Sequence, residues 1–205
     1  VVVFIDYQNV YMRARECFHE RWDHHSLGQV SPIALAELLT ADSPFDRRLQ
    51  QVRIYRGIPD STRDPKGYGA ADRQIAGWRG DDRVFVHARP LRYPYGWPAT
   101  HAPGEKPQEK GIDVALAIDF VAMAVQGEYD VGILMSTDTD LRPPLEFVAT
   151  LTQAGGPRAE VAAWSHQGMH SRRLAIKQAK LWCHWLDESQ YQRVADGTDY
   201  ARPSP

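Results

Sequence analysis

The residues best suited to chemistry in this chain are aspartates placed at the ends of apolar runs. Asp6 comes directly after the run Val1-Val2-Val3-Phe4-Ile5, and Asn9 follows shortly after it. Asp113 follows Lys110-Gly111-Ile112. Asp138 and Asp140 lie in Ser136-Thr137-Asp138-Thr139-Asp140, immediately after the apolar stretch 131–135. Carboxylates gathered in one pocket repel, so some hold protons until a cation neutralises them. An all-oxygen donor set suits Mg²⁺ or Mn²⁺, ions that take few carboxylates and keep several waters. Such an ion can bind a phosphodiester oxygen, activate a water and offset charge on the leaving oxygen.

Each acid also has a plainer reading. Asp6, Asp138 or Asp140 can cap a helix or hold a turn, and Asp113 can simply favour a helix N-terminus. Ser136 can orient a carboxylate or a water, or serve as a turn residue. Asp119 lies about 120° around an ideal helix from Asp113, which leaves a supporting hydrogen bond or plain solvation open. Lys110 can offset pocket charge, contact a phosphate or sit on the surface. Asp23-His24-His25 falls in an expected loop and reads as solvated, and no Cys/His set has zinc spacing.

The metal reading rests on the elements that would bring these acids together. Short runs rich in β-branched residues at 1–5, 51–56, 83–87, 131–135 and 160–164 predict strands buried on both faces, with a last edge strand at 181–186. Helix-length stretches at 10–20, 32–39, 69–78, 112–126, 141–154 and 170–177 separate them. Alternation of this kind predicts an α/β fold with a mainly parallel central sheet flanked by helices. Ligands of such sheets bind outside the carboxyl ends of the strands. Asp6 and the 136–140 stretch leave strands at that end, and Asp113 enters a helix there. Independent caps need not share one edge of one sheet, and that coincidence favours a common site.

Composition narrows the setting. The 205 residues carry a formal net charge of −2, which excludes a protein that coats nucleic acid through bulk charge. Two cysteines, Cys17 and Cys183, give no disulfide framework and suit a reducing compartment. No apolar run reaches a membrane span, and the opening residues do not resemble a signal peptide, so the expected location is the cytoplasm. The chain does not begin with Met, so residues are expected to precede Val1.

Three ordered blocks bear a resemblance to a known family: Phe4-Ile5-Asp6-Tyr7-Gln8-Asn9, Lys110-Gly111-Ile112-Asp113-Val114-Ala115-Leu116-Ala117-Ile118-Asp119, and Asp130 through Ser136-Thr137-Asp138-Thr139-Asp140-Leu141. Together they resemble the NYN domain, a branch of the PIN-like nucleases that includes the LabA-like (DUF88) bacterial proteins. The resemblance spans about 1–186 and implies a PIN-like three-layer sandwich, a Mg²⁺ or Mn²⁺ site and single-stranded RNA as substrate. It carries Asp6, Asp113, Asp138 and Asp140 over as metal-site acids, with Asn9, Ser136 and Asp119 in support. Thr139 and Leu141 depart from the family's usual Gly and Phe.

The domain is expected over 1–186, with an irregular insertion at about 89–109 and a partly disordered tail over 187–205. In the insertion, Arg89, Arg92, Tyr93, Tyr95, Trp97 and Lys106 interleave cations with aromatics, as single-stranded nucleic-acid sites do. The same aromatics can instead pack the insertion onto the domain. Arg172, Arg173, Lys177 and Lys180 would share one basic helix face, for RNA or for solvent. The leading expectation is a metal-dependent endoribonuclease. Its competitor is a regulatory module that binds RNA, a protein partner or a second copy. A phosphatase is disfavoured because Gln8 stands where its motif needs a second acid.

Overall fold

The computed structural model describes residues 1–102, 104–166 and 173–202. Six strands form one sheet: β1 (Val2–Asp6), β2 (Gln51–Ile58), β3 (Val84–Pro90), β4 (Val131–Met135), β5 (Arg158–Trp164) and β6 (Cys183–Leu186). Their order is β3-β2-β1-β4-β5-β6, and every neighbouring pair is parallel. Helices α1 (Tyr7–Phe18), α2 (Pro32–Ala41), α3 (Pro65–Trp78), α4 (Ile112–Gln126), α5 (Arg142–Gln153) and α6 (Glu188–Val194) cover its faces. The chain is therefore an α/β fold with a parallel sheet between helical layers.

β1 is buried along its whole length, and its alternating side chains supply both cores. Val3 and Ile5 pack with Val10 and Ala14 of α1, Leu35 and Leu39 of α2, Ile75 of α3 and Tyr191 of α6. Val2 and Phe4 pack with Leu116 and Phe120 of α4 and Leu145 and Val148 of α5. Gly132 of β4 lets Phe120 and Tyr129 approach, since a Cβ there would lie 2.8–2.9 Å from both rings.

This strand order places a topological switch point between β1 and β4. Connections from β1 run outward through β2 to β3, and the chain then returns to β4 on the other side of β1. A crevice forms at the carboxyl ends where the two directions part. Asp6 and Ser136 are the residues at those two exits.

Two regions differ from expectation. Residues 173–177 are not helical, and the rest of the helix expected at 170–177 lies outside the described residues. Leu174 and Ile176 join the core at alternate positions, the pattern of an extended segment. Within the expected tail, Asp187 forms a capping box with Gln190 and starts α6, which buries Tyr191 and Val194. Among the described residues, no helix is long and apolar enough to cross a membrane.

Candidate metal centre

Asp6 begins the site because it does two things at once. As N-cap of α1 it accepts a hydrogen bond from the Asn9 N–H on Oδ1, at 3.2 Å. Its Oδ2 accepts from the Ser136 hydroxyl at 2.9 Å. The side chain is only 4% exposed. Burial pushes its pKa up to about 7, against the pull of those two hydrogen bonds, and the nearby Asp113 and Glu109 carboxylates push the same way.

Ser136 ties this carboxylate to the exit loop of β4, since its Oγ also accepts from the Asp138 N–H at 3.1 Å. Asn9 does the same from α1: its Oδ1 accepts from the Thr137 N–H at 3.0 Å and the Thr137 hydroxyl at 3.1 Å. Arg13 Nε then donates to Thr137 Oγ1 at 3.0 Å. Asp138 accepts from the Asp140 N–H at 2.9 Å and caps the 3₁₀ turn Thr139–Leu141. That turn buries Leu141 fully in the core under α4 and α5. The loop is thus held with Thr139 and Leu141 in place of Gly and Phe.

Asp113 stands in the first turn of α4, which begins at Gly111 with φ 73° and no side-chain cap. Arg89 Nη1 donates to the Gly111 carbonyl at 3.0 Å and fixes this entry. Burial raises the Asp113 pKa first, and the charges of Asp138 and Asp140 raise it further. Asp113 therefore feels Asp138 and Asp140, and Asp6 feels Asp113, at the switch point. Their oxygens are spread, however. Among the described residues, the acids do not form a group of three with ligand atoms within 4.8 Å of one another.

Glu109 belongs beside them and was not expected there. Its Oε1 accepts from the Gly57 N–H in β2, burial raises its pKa, and Asp113 raises it further. Its position just before Lys110-Gly111 was the available signal, obscured by its place at the end of an irregular loop.

Asp119 is engaged elsewhere. Its Oδ2 accepts from the Tyr55 hydroxyl at 2.7 Å and from Arg53 Nη2 at 2.8 Å. Burial would raise its pKa, yet those hydrogen bonds and the Arg53 charge hold it below the usual carboxylate value. Lys110 is exposed.

The insertion divides its residues between packing and exposure. β3 extends to Pro90, so Arg89 is a strand residue. Arg92 and Gln108 pair as an isolated antiparallel bridge that closes the loop's base. The Tyr93 hydroxyl accepts from the Asp60 N–H at 3.0 Å, and Trp97 packs between Tyr93 and His101. Tyr95 is 98% exposed. Arg92 and Lys106 are exposed too. Arg173, Lys177 and Lys180 are exposed but not on a helix, and Arg172 lies outside the described residues.

Comparison with known proteins gives one family. The NYN domain profile matches residues 1–175. No curated protein matches the chain. A solved structure of a protein of unknown function from Vibrio parahaemolyticus is similar at 19% identity and a TM-score of 0.45, covering 80% of this chain and 78% of that one.

Proposed function

The chain belongs to the NYN domain family, within the PIN-like nuclease superfamily, and on that premise we propose that it is a metal-dependent endoribonuclease cleaving single-stranded RNA. The observation that carries this reading is the meeting of acids from separate stretches at the switch point, where burial raises Asp6 and Asp113 and the charges of Asp113 on the first, and of Asp138 and Asp140 on the second, add to it. Structural caps alone have no reason to be stacked against one another's charge.

In this reading Asp6, Asp113, Asp138 and Asp140 hold Mg²⁺ or Mn²⁺. The donors are all oxygen, the kind these ions take. The oxygens are spread, and that spacing would suit an ion that keeps several of its waters. When bound, the ion supplies Lewis-acid neutralisation at the phosphodiester and lowers the pKa of the attacking water. The protein's own groups set the stage for that step. Ser136 and Asn9 fix Asp6 and the 136–140 loop relative to each other. Burial favours the protonated form of Asp6, and a bound cation would displace that proton. Arg92 and Lys106 meet phosphates, and the exposed Tyr95 ring stacks on a base. We further propose that the chain belongs to the LabA-like branch and works in the cytoplasm, a reading supported by the resemblance of its three ordered blocks.

A second reading has its own support. Asp6 and Asp138 already serve as caps, and the acids are not drawn into a tight ligand shell. A regulatory module that binds RNA or a protein partner needs no more than that. Cleavage of single-stranded RNA with Mn²⁺ or Mg²⁺, comparing wild type with Asp138→Asn, separates the two. Metal-dependent cleavage lost in the variant is expected. Equal cleavage by both removes the mechanism, and tight RNA binding without turnover under either metal selects the regulatory module.

A further inference from the structure

The adjacent imidazoles His24 and His25 lie in the α1–α2 connection, where sequence alone assigned them to solvent. In the fold they meet Asp199 of the C-terminal segment. We propose that His24, His25 and Asp199 form a second metal site, for a transition-metal ion of the Zn²⁺ class, which staples the C-terminal segment to the α1–α2 connection.

The first argument is proximity. One ligand atom from each residue lies within 4.8 Å of the other two. His25 Nε2 is already 3.4 Å from Asp199 Oδ1, and the imidazole centroids are 4.1 Å apart. Ligands around tetrahedral Zn²⁺ stand about 3.3 Å apart, so small rotations of exposed rings complete the approach. His24 Nδ1 lies 2.8 Å from Ser26 Oγ and accepts from the Ser26 N–H at 3.3 Å; an ion would take Nε2 once the ring proton moves to Nδ1, which then donates to Ser26 Oγ as its outer-shell partner.

The second argument is that both sides of the site are built before any ion arrives. Arg15 Nη1 donates to the His24 carbonyl at 2.7 Å and the Leu27 carbonyl at 2.8 Å, and Nη2 donates to the Asp23 carbonyl at 2.9 Å. The Tyr11 hydroxyl donates to the His25 carbonyl at 2.8 Å. One face of α1 therefore fixes the backbone of both histidines. Opposite them, Val30 and Ala195 form a bridge, Gln29 Nε2 donates to the Thr198 carbonyl at 3.0 Å, and Arg73 Nε donates to the Tyr200 carbonyl at 3.0 Å. Little ordering remains for the ion to drive.

The donor set decides the class. Two imidazoles with one carboxylate suit Zn²⁺ and its neighbours and do not suit Mg²⁺ or Ca²⁺. The existing partners of Asp199 are weak rivals: Arg202 Nε at 3.1 Å is on a side chain 84% exposed, and the Ala201 N–H at 3.1 Å uses a single lone pair of Oδ1. Both histidines are exposed, so water completes the coordination shell.

The test uses the full chain stripped of metal with a chelator. Zn²⁺ is titrated in competition with a chromophoric chelator, and Co²⁺ binding is followed by visible absorption. Wild type is compared with His24→Ala/His25→Ala, with Asp199→Asn and with Asp138→Asn. Wild type and Asp138→Asn should retain one equivalent with similar affinity. The other two variants should lose more than roughly tenfold, since even outer-shell changes cost that much. Zn²⁺ should also slow carboxypeptidase digestion past Asp199 in wild type and not in the double variant. Equal Zn²⁺ affinity in wild type and the double variant overturns the site, as does failure of wild type to compete for Zn²⁺. Neither result touches the nuclease reading, which RNA cleavage by wild type and Asp138→Asn tests separately.

Discussion

Asp6→Asn should change stability in opposite directions at low and high pH. In the metal-free protein the Asp6 pKa stands at about 7, raised from 3.8, chiefly by burial. An acid whose folded pKa is raised binds more protons folded than unfolded, so stability falls as pH climbs from about 4 through 7. Fully ionised, the buried carboxylate costs on the order of 4 kcal/mol. Asparagine removes that charge. It also turns an NH₂ toward one of two donors, Ser136 Oγ or the Asn9 N–H, and so loses about 1–2 kcal/mol of hydrogen bonding. The balance is a variant more stable than wild type by about 2–3 kcal/mol at pH 8 and less stable by about 1–2 kcal/mol at pH 3, below the unfolded pKa, with the crossing near pH 5. Urea unfolding of chelated protein at both pH values measures this. A variant weaker by the same amount at both would show that Asp6 carries no burial penalty, and the reasoning would be wrong.

Two further outcomes test other parts of the fold. Glu160 is held at about 2 by His184 and Arg47, whose hydrogen bonds overcome the upward push of burial. Its contribution is therefore present above pH 4.5 and lost as pH falls toward 2, so Glu160→Gln should destabilise by about 3 kcal/mol at pH 7 and much less at pH 3, read by denaturant melts. Gly132→Ala forces a methyl against Phe120 and Tyr129 and should cost about 1–3 kcal/mol in the same assay, with an unchanged midpoint contradicting the close packing of β4 on α4.

The parallel strands were legible because each is an unbroken apolar run bounded by turn residues. β4 and α4 fall where periodicity and the Gly111 and Gly127 boundaries put them. What failed to show was anything that depends on long-range contact. Leu174 and Ile176 lie two apart, an extended spacing too brief to outweigh the helical expectation, and only their packing in the core shows it. Helix α6 is about two capped turns, too short for a periodic signal, yet Tyr191 reaches across to Gly28 and His19.

The candidate site was legible in its aspartates and not in their connections. Asp6 and the 136–140 loop are adjacent because β1 pairs with β4, and pairing order is not written in any local stretch. Thr137, the bridge between Asn9 and Arg13, looked like spacer between acids. Asp119 shares a helix with Asp113 but faces Arg53 and Tyr55, as its place on the helical wheel allowed. The pairing of His24 and His25 with Asp199 spans most of the chain and has no sequence signature.

Anomalous diffraction from crystals soaked in Mn²⁺ locates directly whatever cation these carboxylates share. Density between the exit of β1 and the 136–140 loop, absent in Asp113→Asn, is the expected result. Millimolar Mn²⁺ that leaves that crevice empty, or settles only at His24 and His25, would contradict a shared acidic centre.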